Sequence, residues 1–253
     1  MWQTFRTADN KARSQVLHIA QASFWGPYAS LQQKKQTILY GYSLQVIPFP
    51  KDWDDFIHVT GYWFLEQSAG WEPPIDLIDF LQSGPPPVYI GFGSMVNSKP
   101  EETADLVLQA LARTSQRGVL SSGWGGLKKE YLPDTVFMIG SMPHNWLFPR
   151  MAAVVHHGGV GTTAAGLWAG IPAIVTPYFG DQPFWGQRVY ELGVGPRPIP
   201  RQRLTVDRLA EAINCVVSDA AMREKAIRLG ECIRAENGIA RAVEVIEREG
   251  GCK

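Results

Sequence analysis

Cysteine is scarce in this 253-residue sequence: Cys215, Cys232 and Cys252 are the only three, and none falls in a C-x-x-C or metal-ligand spacing. So small and odd a set argues against a disulfide framework and suits a reducing compartment with structural or inert thiols. An excess of charge is missing too. Lys plus Arg and Asp plus Glu are both 24, for a formal net charge of zero. That balance speaks against a polyanion-binding surface, and no nucleic-acid partner is expected. No apolar run approaches the roughly 18 residues of a membrane span. The opening MWQTFRTADNKARS has no apolar signal core. Internal repeats and low-complexity segments are also absent.

What remains is a globular composition. Apolar residues make up 45% of the chain, and its length allows one large domain or two small ones. Residues 1–50 read as a helix, a Gln/Lys-rich loop LQQKKQ, and a strand in ILYGYSLQVIPFP that its prolines end. A connector rich in Trp, Pro and Asp follows, with one short helix around PIDLIDFLQ. It closes at the stiff Gly84–Pro87 stretch GPPP.

Beyond that point strands and helices alternate. VYIGF, GVLSS, TVFMIG, AAVVHH and IPAIVTP are apolar runs of strand length. SKPEETADLVLQAL opens with a capping box, Ser98 and Glu101, and sets Ala104, Val107, Leu108 and Leu111 on one helical face. PHNWLFPRM, GTTAAGLWAG and QPFWGQRVYELG read as further helices, and two helical segments from Leu204 onward close the chain. This alternation predicts an α/β fold: a Rossmann-like parallel sheet with helices on both faces.

In such a sheet, ligands sit beyond the carboxyl ends of the strands. VVHHGGVGTTAAGLWAG, Val154 to Gly170, is a strand end feeding a helix start. Gly158, Gly159 and Gly161 let the backbone come close to a ligand. The exposed N–H groups and dipole of the helix start favour an anion. His157, Thr162 and Thr163 add side-chain donors that a plain turn does not need. Gly159-x-Gly161-x-x-Ala164 is also a literal dinucleotide fingerprint, with Asp181 20 residues after Gly161. The NAD reading is the weaker one. Pro177 stops the following strand well before Asp181, and the motif comes late in the domain instead of in its first strand–helix unit. Asp52-Trp53-Asp54 matches a metal-holding D-x-D, but it lies in the connector and reads as a solvated acidic turn.

PVYIGFGSM, HHGGVGTTAAGLWAGIPAIVTPYFGDQPFWGQRV and ELGVGPRPIP resemble the carboxy-terminal half of UDP-sugar-dependent glycosyltransferases, nearest the sterol glucosyltransferase group. The likeness continues upstream through ILYGYSLQVIPFPKDW and HVTGYWFLE. It implies one half of a GT-B fold, in which two Rossmann-like domains face a cleft. Residues 1–83 would be the tail of the acceptor domain plus connector, and residues 84–253 the nucleotide-sugar domain. Carried over by position, His157 and the backbone of Gly159, Gly161 and Thr162 would hold the diphosphate, with Ser94 facing it. Asp181 and Gln182 would bind the sugar hydroxyls. Met142 and His144 would line the uracil, and Trp124 is a candidate wall for the base, with core packing as its equal alternative. Ala165 stands where plant relatives carry a ribose-binding glutamate, so the ribose partner is unassigned.

The resemblance further implies inverting transfer of a hexose, glucose by preference, from a UDP-sugar to a hydroxyl of a sterol or lipid-like acceptor. No metal and no separate cofactor are expected. The family's catalytic base lies early in the amino-terminal domain, before the point where this sequence starts. His18 is read as a satisfied helix histidine, so the catalytic residue is unknown. The expectation is the donor-binding half of an enzyme, as a truncated gene product, a fragment, or a subunit completed by a separately encoded amino-terminal half; the alternative is a UDP-sugar-binding module with no catalysis of its own. A cytoplasmic location is expected, with peripheral attachment to membranes left open.

Overall fold

The computed structural model describes residues 2–26, 31, 33–65, 70–93, 99–122 and 131–250. Five strands form a parallel sheet: β3 (Val88–Gly91), β4 (Gly118–Ser121), β5 (Val136–Ile139), β6 (Ala153–His156) and β7 (Ala173–Val175). A two-stranded parallel sheet precedes it, β1 (Ile38–Tyr40) beside β2 (Ile57–Val59). The larger sheet runs β5-β4-β3-β6-β7, so the strand order reverses between β3 and β6. Gly91 pairs with His156 there, which brings the carboxyl ends of those two strands side by side. Such a switch point opens the crevice in which doubly wound sheets bind ligands.

Strand alternation divides the core in two. Val88 and Ile90 face one side with Leu120, Val155 and Ile174, against α3 (Pro100–Thr114) and α7 (Val206–Ser218). Tyr89, Val154 and Val175 face the other, against α5 (Val160–Ala169) and α8 (Ala220–Ala235). Helices on both faces are therefore present as the apolar runs predict. Residues from before β3 join the second core: Val46 and Tyr62, and Leu77 from α2 (Ile75–Gln82). Ser43 donates to the buried Glu236 carboxylate at 2.8 Å, where α8 gives way to α9 (Gly238–Gly250). Contacts thus cross the expected boundary at residues 83 and 84.

Several local expectations are corrected. The strand read into ILYGYSLQVIPFP is only three residues long, because a turn begins at Tyr42–Ser43 instead of at the prolines. β2 was not foreseen. α3 starts at Pro100 with Lys99 as its N-cap, so the capping-box register led by Ser98 is one residue early. Ser98 itself lies outside the described residues. α1 (Trp2–Gln15) ends before His18, which is exposed at φ 52° and is not a helix histidine. Leu108 is half-buried, while Ala104, Val107 and Leu111 are buried as the helical face predicts. Among the described residues no helix is long and apolar enough to cross a membrane. Cys215 and Cys232 are free thiols, and Cys252 lies outside the described residues.

Candidate functional site

An open cleft of about 460 Å³ lies beyond the carboxyl ends of β3, β4 and β5. Its floor includes Tyr89 and Ser121, and its sides include Met142, His144 and Thr162. The volume falls within the roughly 300–1,000 Å³ range of small-molecule sites. His144 begins the short α4 (His144–Leu147) and stacks on Phe148, with ring centroids 4.3 Å apart. Burial, and then His157, hold its imidazole below the ordinary histidine value, so it faces the cleft as a neutral, flat group. Tyr89 was missed by sequence reading, although a tyrosine within a buried strand is itself a signal. Burial raises its phenol, and a hydrogen bond with Ser121 opposes that rise.

The β6–α5 turn holds the glycines, His157 and the helix start that the sequence singles out. Gly158 stands at φ +89°, a conformation that favours glycine. A Cβ on Gly159 would meet His157 Nε2 at 2.4 Å, and one on Gly93 would meet His157 Cε1 at 2.8 Å. The imidazole is therefore held between the two strand-end loops, with Nδ1 buried and unpartnered among the described residues. Burial pushes His157 below its ordinary value, and Asp181 acts in the opposite direction. Gly159 is the N-cap of α5 and offers no side-chain cap. Thr163 turns inward, its Oγ1 donating to the Gly159 carbonyl at 3.0 Å. The N–H groups of Val160, Gly161 and Thr162 in the first turn have no intrahelical acceptor and carry the positive end of the helix dipole. Among the described residues, a Cβ on Gly161 would touch nothing within 4 Å. Packing against the described residues does not require this glycine, and its bareness leaves room beside the helix end.

On the far side of the turn, Asp181 is exposed at the start of α6 (Gln182–Glu191) and accepts the Trp185 indole N–H at 2.8 Å. Gln182 is only 5% exposed. Its Oε1 accepts the N–H groups of Tyr178 and Phe179 at 2.8 and 3.3 Å, so it braces the loop that carries Asp181. Met142, His144 and Thr162 line the cleft. Gly159 and Gly161 stand at the start of α5, and Asp181 and Gln182 at the start of α6; none of the four is among the residues that line the cleft. Ser94 and Trp124 lie outside the described residues. The Asp52-Trp53-Asp54 carboxylates are exposed in a turn before β2, as expected of a solvated segment.

The fingerprint at Gly159 follows β6, the fourth strand of the sheet, whereas a dinucleotide fingerprint belongs to the first. β7 ends at Val175, six residues before Asp181, so the acid does not sit at the next strand end. Both observations disfavour NAD.

Comparison with known proteins agrees with this geometry. The chain is 41% identical to a sterol 3-beta-glucosyltransferase of Arabidopsis thaliana over 247 residues, covering 96% of this chain and 38% of the relative. A sterol 3-beta-glucosyltransferase of Cryptococcus neoformans is 41% identical over 273 residues, covering 98% of this chain and 17% of the relative. The chain thus spans about two fifths of the plant relative and less of the fungal one. Among solved structures, the glycotransferase of kitacinnamycin superposes with TM-score 0.70 at 25% identity, covering 84% of this chain and 54% of that one. The calicheamicin glycosyltransferase gives TM-score 0.65 at 23% identity, covering 84% and 51%, a likeness of fold. The sheet is that of one half of a GT-B glycosyltransferase. The sequence model of the erythromycin biosynthesis protein CIII-like C-terminal domain matches residues 94–247. That match spans more than half of the chain, and the protein belongs to this family of C-terminal glycosyltransferase domains.

Proposed function

We propose that the cleft binds a UDP-sugar and that residues 84–253 are the donor-binding domain of a glycosyltransferase. The reaction is transfer of glucose to a hydroxyl of a sterol or similar lipid-like acceptor, with inversion at the anomeric carbon. The observation that carries the reading is the His157 ring, seated between Gly93 and Gly159 beside the uncapped start of α5. As the sugar–oxygen bond breaks, negative charge grows on the departing diphosphate. On this reading the first-turn N–H groups and the His157 imidazole would face the oxygens on which that charge develops. The nucleobase would lie in the cleft against His144 and Met142, and the sugar would face Asp181. Identity to sterol 3-beta-glucosyltransferases supports the choice of glucose and sterol.

Transfer also needs a base within hydrogen-bond reach of the acceptor hydroxyl. Among the described residues, His18 is exposed after α1, His58 sits in β2, His144 lines the cleft, and His156 and His157 are buried at the end of β6. We therefore place the base and the acceptor pocket outside these 253 residues, in a segment or partner that completes the active site. Calorimetry with UDP, UDP-glucose and NAD tests the reading. UDP and UDP-glucose should bind, with EDTA present or absent, and NAD should not. NAD binding in preference to UDP, or loss of UDP binding in EDTA, would overturn it.

A further inference from the structure

His156 has no role in the chemistry above, yet it is fully buried one residue before the histidine assigned to the diphosphate. Its Nε2 has no hydrogen-bond partner among the described residues. Burying an unpaired polar atom lowers stability, so packing alone would favour an aliphatic residue here. The contacts of the ring indicate another task. The His156 carbonyl accepts the Thr176 N–H at 2.8 Å, so its backbone is still tied to β7. Two residues later Gly158 has left the sheet at φ +89°. Its N–H donates to His156 Nδ1 at 3.0 Å. The imidazole thus joins the last ladder residue to the first left-handed one, and His157 lies between those two fixed points.

We propose that His156 is the positioning residue of the diphosphate loop: as a neutral Nε2–H tautomer it accepts from Gly158 and fixes the backbone from which His157 reaches the ligand. This inference rests on the UDP reading for its consequence, though not for its geometry. A backbone N–H aimed at Nδ1 leaves Nε2 as the site of the single proton. A second proton on Nδ1 would set donor against donor. Burial, then His157 and His144, push this imidazole down to about 3, so it supplies an acceptor and no charge. Asparagine can place its Oδ1 near the position of Nδ1, whereas leucine keeps bulk without an acceptor.

The test combines two measurements on the full chain. Nitrogen-15 spectra of the histidine side chains at pH 7 should show His156 as the Nε2–H tautomer. An Nδ1–H or doubly protonated ring would overturn the proposal, whether or not UDP binds. Calorimetry with UDP should show His156→Leu weakened roughly tenfold or more, since small displacements at a preorganised site have large effects. His156→Asn should stay within about threefold of the parent, because the acceptor is restored. Equal losses in both variants, or no loss in His156→Leu, would overturn the positioning role. If His156→Leu fails to fold, the tautomer and the His156→Asn affinity still decide it. If the parent chain does not bind UDP, the functional reading fails and the tautomer result still judges the loop geometry.

Discussion

Every residue of β3 and of β6 is buried, whereas in the segment before β3 large apolar side chains stand in water: Val16 is 72% exposed, Trp25 78% and Leu65 92%. The two regions share a similar supply of apolar residues but differ in how many layers they can build. A parallel sheet covered by helices on both faces closes its own core. Two strands of three residues cannot, and β1 and β2 are at best half-buried. The part of the early segment that is well held is the part that docks on the later one, through Ser43, Val46 and Tyr62. The residues that line the ligand cleft all come from the larger sheet and its connections.

This contrast can be broken most strongly in the core. Leu120→Ala, at a fully buried β4 position, should cost about 2–5 kcal/mol by denaturant unfolding. Val16→Ala should stay within about 0.5 kcal/mol. Similar losses at both sites would mean that the early segment is as closely packed as the sheet. At the site itself, His157→Ala removes a hydrogen bond to a charged group, worth about 1.5–3 kcal/mol. UDP affinity should fall roughly ten- to a hundredfold by calorimetry.

Acid sharpens the comparison further. His156 is pushed down to about 3 and His144 is also lowered, both first by burial. The unfolded chain therefore binds more protons than the folded one as pH drops below about 6.5. Stability from these groups is full above that pH and is lost on the way down, by up to about 1.4 kcal/mol per pH unit for one histidine. Melting at pH 7.5 and pH 5 should show the loss, and His156→Asn should reduce it. The smallest effect is expected at Asp181→Ala, which should leave UDP affinity unchanged and weaken UDP-glucose by roughly tenfold. Equal losses for the two ligands would remove Asp181 from the sugar.

The same contrast explains what the sequence revealed. The five strands of the larger sheet were readable because each is an apolar run flanked by glycine, proline or polar residues. β2 was hidden because Ile57–Val59 is only three residues, preceded by the acidic run KDWDD and paired with a β1 that is equally short. Thr162, Met142 and His144, which line the cleft, were legible from motif and resemblance. Tyr89 and Ser121 could have been added from the rule that ligands meet strand ends. The burial of Gln182 could not, because it depends on how the Tyr178–Phe179 loop folds back onto its carbonyl. His156 gave no sign of its Gly158 contact, since that contact requires the left-handed turn between them.

The central claim is that UDP occupies the switch-point cleft, and amide resonances followed during a UDP titration test it most directly. The account predicts shifts concentrated at Gly91–Gly93, Gly140–His144 and His157–Thr162, around the carboxyl ends of β3, β5 and β6. A second cavity, of about 560 Å³, lies at the opposite end of the sheet, lined by Arg117, Gly170 and Pro172 among others. Shifts gathered there, with the cleft residues unmoved, would contradict the account.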